Sequence, residues 1–204
     1  MTVEGTGRVN QKLRTRKAVV QAARELVRTG APVTMPKVAQ AALVSEVTAY
    51  RYFPDLPSLL SEVIVGMWPT PAQALEPVAT CTDPAMRVAL VCEVLLRGVF
   101  AYQGGVRAMI AATIGQPALA GTRPDIRFGL IDLALDPQHL APGILDPKAL
   151  GELKQDLAVV ISAENLFCLI DRLGFGIDEA IARITRIATT LTAAAVRRPG
   201  TEIA

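Results

Sequence analysis

Between about residues 14 and 29 the apolar positions Val19, Ala22, Ala23, Leu26 and Val27 recur at the three-and-four spacing of one helix face. Gly30, with Pro32 just beyond, is the expected stop. Residues 34–53 then predict two short helices joined by a tight turn. Thr34 is the start signal of the first, and Pro36 falls in its opening turn, where a missing N–H costs nothing. Ser45 opens the second, which carries polar Glu46, Thr48 and Arg51 beside apolar Val44, Val47 and Phe53. Helices so short do not persist alone in water, so each must be held by packing against its neighbour. Asp55 predicts the N-cap of a fourth helix, with Pro57 in its first turn. It runs through Leu59, Leu60, Val63, Ile64 and Met67 until Trp68-Pro69-Thr70-Pro71 interrupts it.

The remainder is helical in pattern at about 83–102, 105–116 and 123–135. Asp83-Pro84 is a start signal, and Gly104-Gly105 and Gln116-Pro117 are breakers. Residues 136–147, with Pro137, Pro142, Gly143 and Pro147, read as loop. A long helix is expected from about Asp146 to Leu173, a turn at Gly174-Phe175-Gly176, and a last helix from about Asp178 to Arg197. Residues 1–11, with Gly5, Gly7 and Asn10, read as a loose arm. No segment alternates with period two over a useful length, so the fold class is all-α.

A short helix with hydrogen-bonding side chains at its N-terminal end, held by a second helix, is what major-groove reading requires. Thr34, Val38-Ala39 with Ala41-Ala42, Val44-Ser45, Tyr50, Tyr52-Phe53 and Leu59-Leu60 resemble the signature of the TetR family of bacterial transcriptional regulators. Thr15-Arg16, Val19, Ala22-Ala23, Leu26-Val27 and Gly30 are similar to that family's first helix and its stop. The resemblance covers roughly the first third of the chain. It implies a helix-turn-helix DNA-binding domain over 1–53, a connecting fourth helix over 54–68, and a helical ligand-binding and dimerisation domain over 69–204. It further implies a repressor released from operator DNA by a small molecule. Two positions depart from the family pattern. Leu43 stands where the turn usually has Gly, so either the turn is reshaped or Leu43 is strained while its side chain gains burial. Leu56 stands where the family has Lys, which removes one phosphate contact.

Charge supports a polyanion partner at one end. Residues 1–53 hold nine Lys/Arg against three Glu, a net +6, while the rest of the chain is at −4. Half the residues are apolar (51%) and a fifth charged (20%), so the chain is globular rather than disordered. Cys81, Cys92 and Cys168 are widely spaced and odd in number, supporting neither a disulfide framework nor a zinc site. They read as small buried apolar residues. Neither cofactor nor metal is expected. With no secretory signal and no apolar run near the ~18 residues of a membrane span, the expected location is the cytoplasm.

The chemistry assigns Ser45, Glu46, Thr48 and Arg51 to base edges or their vicinity, Arg51 to guanine and Thr48 to a polar edge or a thymine methyl. Glu46 would accept from cytosine N4 and equally repel phosphate. Thr34, Lys37, Tyr50 and Tyr52 suit phosphates, which fix register without reading sequence; packing on the first helix is an equal alternative for Tyr52. An apolar or amphipathic effector is expected in the body, between the fourth helix and the helices near 83–102, 105–116, 123–135 and 146–173. Its candidate walls are Met67, Phe100, Met109, Thr113, Phe128, Ile131, Asn165 and Phe167, each of which also suits ordinary core. Asn165 needs a partner if buried. The last two helices carry apolar faces broad enough for a homodimer through a four-helix bundle, the alternative being burial within one subunit. His139, the only histidine, lies in the Pro-rich loop with no nucleophile pattern or carboxylate cluster nearby, so no enzyme is expected. A second reading stays open: an all-α small-molecule binding protein or enzyme whose DNA-binding domain is vestigial.

Overall fold

The computed structural model describes residues 3–197, with side chains from residue 9 onward. Among the described residues the α-helices are, in order, α1 (Val3–Arg28), α2 (Met35–Ala41), α3 (Glu46–Tyr52), α4 (Leu56–Val65), α5 (Pro71–Leu75), α6 (Pro84–Ala101), α7 (Gln103–Gly115), α8 (Ile126–Ala134), α9 (Pro147–Val160), α10 (Ala163–Phe167) and α11 (Ile177–Arg197). No strand occurs among them. No helix among them is long and apolar enough to cross a membrane.

The chain folds as two compact units. The first comprises the described residues up to Trp68 together with Ala101–Pro124. Here α1 packs on α2, α4 and α7, and α2 packs on α3. Val19, Ala23 and Val27 of α1 and Leu59, Leu60 and Val63 of α4 are buried, the face each periodicity marked; α2 buries Val38 and Ala39, and α3 buries Ala49, whereas Val47 of α3, expected among its apolar positions, is exposed. Each short helix has the cap its sequence called for. Thr34 Oγ1 accepts from the Lys37 N–H at 3.4 Å, Ser45 Oγ from the Thr48 N–H at 3.2 Å, and the Asp55 carboxylate from the Ser58 N–H at 2.7 Å. Such caps are worth about 1 kcal/mol each, and they set where these short helices begin.

In this unit α7 approaches α1 and the turn that follows it so closely that glycine suits two positions. A Cβ on Gly105 would lie 2.8 Å from Val27 Cγ2, and one on Gly104 would lie 3.0 Å from the Ala31 carbonyl oxygen. The expected break falls at Tyr102, between α6 and α7, and the two glycines themselves lie in the first turn of α7, where they serve packing. Gly105→Val is expected to destabilise the protein by about 1–3 kcal/mol through overpacking. Gly115→Ala, at the open end of the same helix with nothing within 4 Å, is the control that should not lower the denaturation midpoint.

The second unit comprises Pro69–Phe100 and the described residues from Asp125. Its core is built from Val88, Val91, Cys92, Leu95 and Leu96 of α6, Leu130, Ile131 and Ala134 of α8, Leu153 and Leu157 of α9, and Ala180, Ile181, Ile184 and Ala188 of α11. Burial pushes the Cys92 thiol up to about 12, so it stays protonated. Cys81 is only half-buried and Cys168 is exposed, which corrects the expectation of three buried cysteines.

Three further expectations are corrected. The loose arm over 1–11 is helical from Val3, because elongating a formed helix adds one backbone bond per residue without a new nucleus. The break after Trp68 holds a short helix of its own, α5, whose Thr70 and Gln73 form a reciprocal capping box. The single long helix from Asp146 to Leu173 is divided: α9 ends at Val160, Ile161 leaves helical geometry (ψ 75°), and Ser162 caps α10. A π-helical turn, Cys168–Arg172, then carries the chain to the glycine at 174.

Candidate nucleic-acid interface and effector region

The turn between α2 and α3 closes as a Schellman motif. The Val44 N–H bonds the Ala39 carbonyl at 3.0 Å and the Leu43 N–H bonds that of Gln40 at 3.1 Å. That pattern needs positive φ at Leu43, and φ there is 55°. The turn is thus not reshaped, and Leu43 carries a strain of about 1 kcal/mol. The expected gain of burial is absent, however: the Leu43 side chain is 92% exposed.

Helix α3 is fixed from beneath. Ala49 is fully buried and Phe53, which caps the helix, is nearly so. Arg16 of α1 stacks its guanidinium 4.9 Å from the Phe53 ring centre while forming a two-pronged bond with Glu62 of α4, one contact at 2.7 Å. One side chain thereby ties α1 and α4 to the end of α3. On the opposite face Ser45, Glu46, Val47, Tyr50 and Arg51 are exposed and Thr48 is half-buried.

Of the eight residues expected to meet DNA, Thr34, Lys37, Ser45, Glu46, Tyr50 and Arg51 are exposed on α2, α3 or their caps, and Thr48 and Tyr52 are partly covered. The Ser45 and Thr48 hydroxyls lie 2.9 Å apart, so both are engaged in the cap and pre-oriented by it. The Arg51 guanidinium rests 5.5 Å from the Tyr52 ring centre. Glu46 lies in the first turn of α3, where its charge suits the helix dipole. Leu56 opens α4 half-buried, so no cation occupies that position. Leu43 and Val47 were not among the expected contacts, yet they share this exposed surface. The departure from Gly at 43 was the available signal.

The expected effector walls are distributed over the two units. In the first, Met109 and Thr113 of α7 are buried and Met67 is half-buried. The Thr113 hydroxyl donates to the Met109 carbonyl at 2.8 Å and accepts from Arg123 Nε at 2.7 Å. The Nε–H of Arg24 and the Nε1–H of Trp68, whose ring meets Tyr102 edge-on at 5.1 Å, are buried without a protein acceptor. In the second unit Ile131 and Phe167 are buried, Phe100 is half-buried, and Phe128 is exposed under the Arg127 guanidinium. Asn165 is exposed rather than buried, and its amide already donates to the Val159 and Val160 carbonyls at 2.9 and 3.2 Å. Its geometry is that of a cap on the end of α9. A surface groove of about 640 Å³ in the second unit is lined by Pro71, Gly129, Asp132, Pro137 and Lys154 among others, and by none of the eight. The Asp132–Lys154 ion pair (2.9 Å) forms part of its wall, and the groove lies open at the surface rather than enclosed.

No family model matches the sequence, and no curated protein matches it. Solved structures match by fold, two of them as follows. A TetR transcriptional regulator from Rhodococcus sp. RHA1 aligns over 89% of this chain and 97% of its own with a TM-score of 0.54 at 24% identity. RolR, solved in complex with the ligand resorcinol, aligns over 96% of this chain and 100% of its own with a TM-score of 0.57 at 18% identity. The chain therefore has the all-α fold of TetR-type transcriptional regulators.

Proposed function

We propose that this protein is a ligand-responsive, DNA-binding transcriptional regulator that acts as a homodimer in the cytoplasm. It represses until a small molecule releases it from its operator. The observation that carries the reading is the α2–turn–α3 arrangement. It presents a rigidly capped, exposed helix with Ser45, Thr48 and Arg51 on its outer face, in the segment of the chain where the net positive charge is concentrated. Residues 1–53 form the DNA-binding region, 54–68 connect it, and 69–204 supply the ligand-binding and dimerisation part. Arg51, Thr48, Ser45 and Glu46 face base edges, and Thr34, Lys37, Tyr50 and Tyr52 hold phosphates.

The effector is an apolar or amphipathic molecule, and the ligand in the RolR structure, resorcinol, is one of that kind. Met109 and Thr113 sit on α7, which packs on both α1 and α4 within the first unit. A ligand that prefers a shifted α7 would displace the supports of α3 and so lower DNA affinity by its difference in affinity for the two states. The acceptor-free N–H groups of Arg24 and Trp68 favour an effector carrying an acceptor oxygen.

The test is a titration of duplex DNA from the gene's own upstream region at several salt concentrations. The affinity should fall linearly on logarithmic axes as salt rises. Arg51→Ala is expected to weaken specific binding by about 1–3 kcal/mol and to leave the oligomeric state unchanged. Equal footprints for variant and wild type would remove Arg51 from the reading set. Absence of any salt-dependent duplex binding would leave the alternative, a small-molecule binding protein or enzyme on the same fold.

A further inference from the structure

We propose that Leu43 and Val47 read thymine, packing their methyl groups against the 5-methyl groups that thymine presents in the major groove. This rests on the DNA-binding reading above and names part of the sequence it selects. Leu43 (92%) and Val47 (80%) are the two most exposed large apolar side chains among the described residues. They flank Ser45, the cap of α3, so both stand at the end of the helix that enters the groove. Leu43 holds the left-handed position of a Schellman turn, where glycine would be free of strain, and its exposed side chain finds nothing in the free protein to offset that strain.

The surroundings decide which surface covers the pair. Within residues 34–53 the acids number one, Glu46, against Lys37 and Arg51, and residues 1–53 as a whole carry a net +6. Apolar side chains set in a cationic surface match a polyanion with an apolar feature at its base edges. In duplex DNA the thymine methyl is that feature. Two branched side chains with exposed methyl groups have the chemistry to meet it.

Duplexes bound by the full-length protein would be selected from a random-sequence pool. Each thymine of the recovered site would then be replaced singly by uracil, which removes the methyl and keeps the pairing. At one or more positions the replacement is expected to weaken wild-type binding about fourfold, the effect of exposing one methyl group. Leu43→Gly and Val47→Ala should still bind the site while each loses its share of that dependence. Leu43→Gly should melt no lower than wild type, since the strain is relieved, so its loss is not a loss of folding. The proposal is overturned if no uracil replacement matters to wild type, if both variants keep the full methyl dependence, or if the recovered site contains no thymine. Tight, uracil-insensitive binding removes only the thymine readout. Failure to enrich any duplex removes the DNA-binding reading with it.

Discussion

Replacing Arg87 with methionine is expected to destabilise the protein by roughly 3–5 kcal/mol. Arg87 of α6 is 1% exposed, and its guanidinium donates to four carbonyls: Ala134 at 2.7 Å, Leu133 at 3.0 Å, Val78 at 2.7 Å and Cys81 at 3.2 Å. Leu133 and Ala134 form the last turn of α8, where helix carbonyls have no partner further along the helix. A cation there also meets the negative end of the helix dipole. The other two carbonyls belong to the segment between α5 and α6. One planar side chain therefore closes a helix end and pins a connection. Methionine matches the volume but supplies no donor, and the α8 carbonyls would be left buried and unpaired. Arg87→Lys should recover only part of the loss, because a point-like ammonium cannot span four acceptors arranged for a fork. Thermal and denaturant unfolding of the two variants measure this directly. A methionine variant within about 1 kcal/mol of wild type would mean that water satisfies those carbonyls equally well.

What the sequence disclosed was local chemistry. The caps at Thr34, Ser45 and Asp55 were legible because a cap joins residues three apart, and the apolar stripes of α1 and α4 were legible because one face of each is buried. The helix-turn-helix, and with it the candidate DNA surface, followed from those two signals. Contacts distant in sequence left weaker traces. Arg87 lies on the apolar face of α6 with Pro84, Val88 and Val91, which marks it as a buried cation, but its acceptors 46 and 47 residues away have no signature. Asn165 was expected to need a partner if buried. The break at Ile161, which gives its amide two backbone carbonyls, is invisible to a periodicity that runs through both α9 and α10. The effector walls shared this difficulty, since an apolar side chain reads the same whether it lines core or cavity.

The last helix is where one stripe must be separated into two. Periodicity marks Ile177, Ile181, Ile184, Ile187 and Leu191 together, yet α11 buries Ala180, Ile181, Ile184, Ala188 and Thr192 within the chain, largely against α9. Ile184 is 2% exposed and so belongs to the core rather than to a dimer face. Ile187 is 47% exposed and Leu191 half-buried, on the flank of that buried stripe, and Val159 of α9 is 71% exposed. The proposed dimer would cover this flank. Ile184→Glu is accordingly expected to cost roughly 3–5 kcal/mol, because its carboxylate would be buried without a partner, and to yield a poorly folded chain. Ile187→Glu is expected to keep wild-type helicity while shifting a micromolar sample from dimer to monomer in light scattering, its unfolding midpoint falling only by what dimerisation contributes. A charge placed opposite its own symmetry mate in an apolar interface is repelled as well as desolvated. A folded Ile187→Glu variant that remains dimeric would move the interface off this face of α11. An Ile184→Glu variant as stable as wild type would overturn the division between core and interface drawn here.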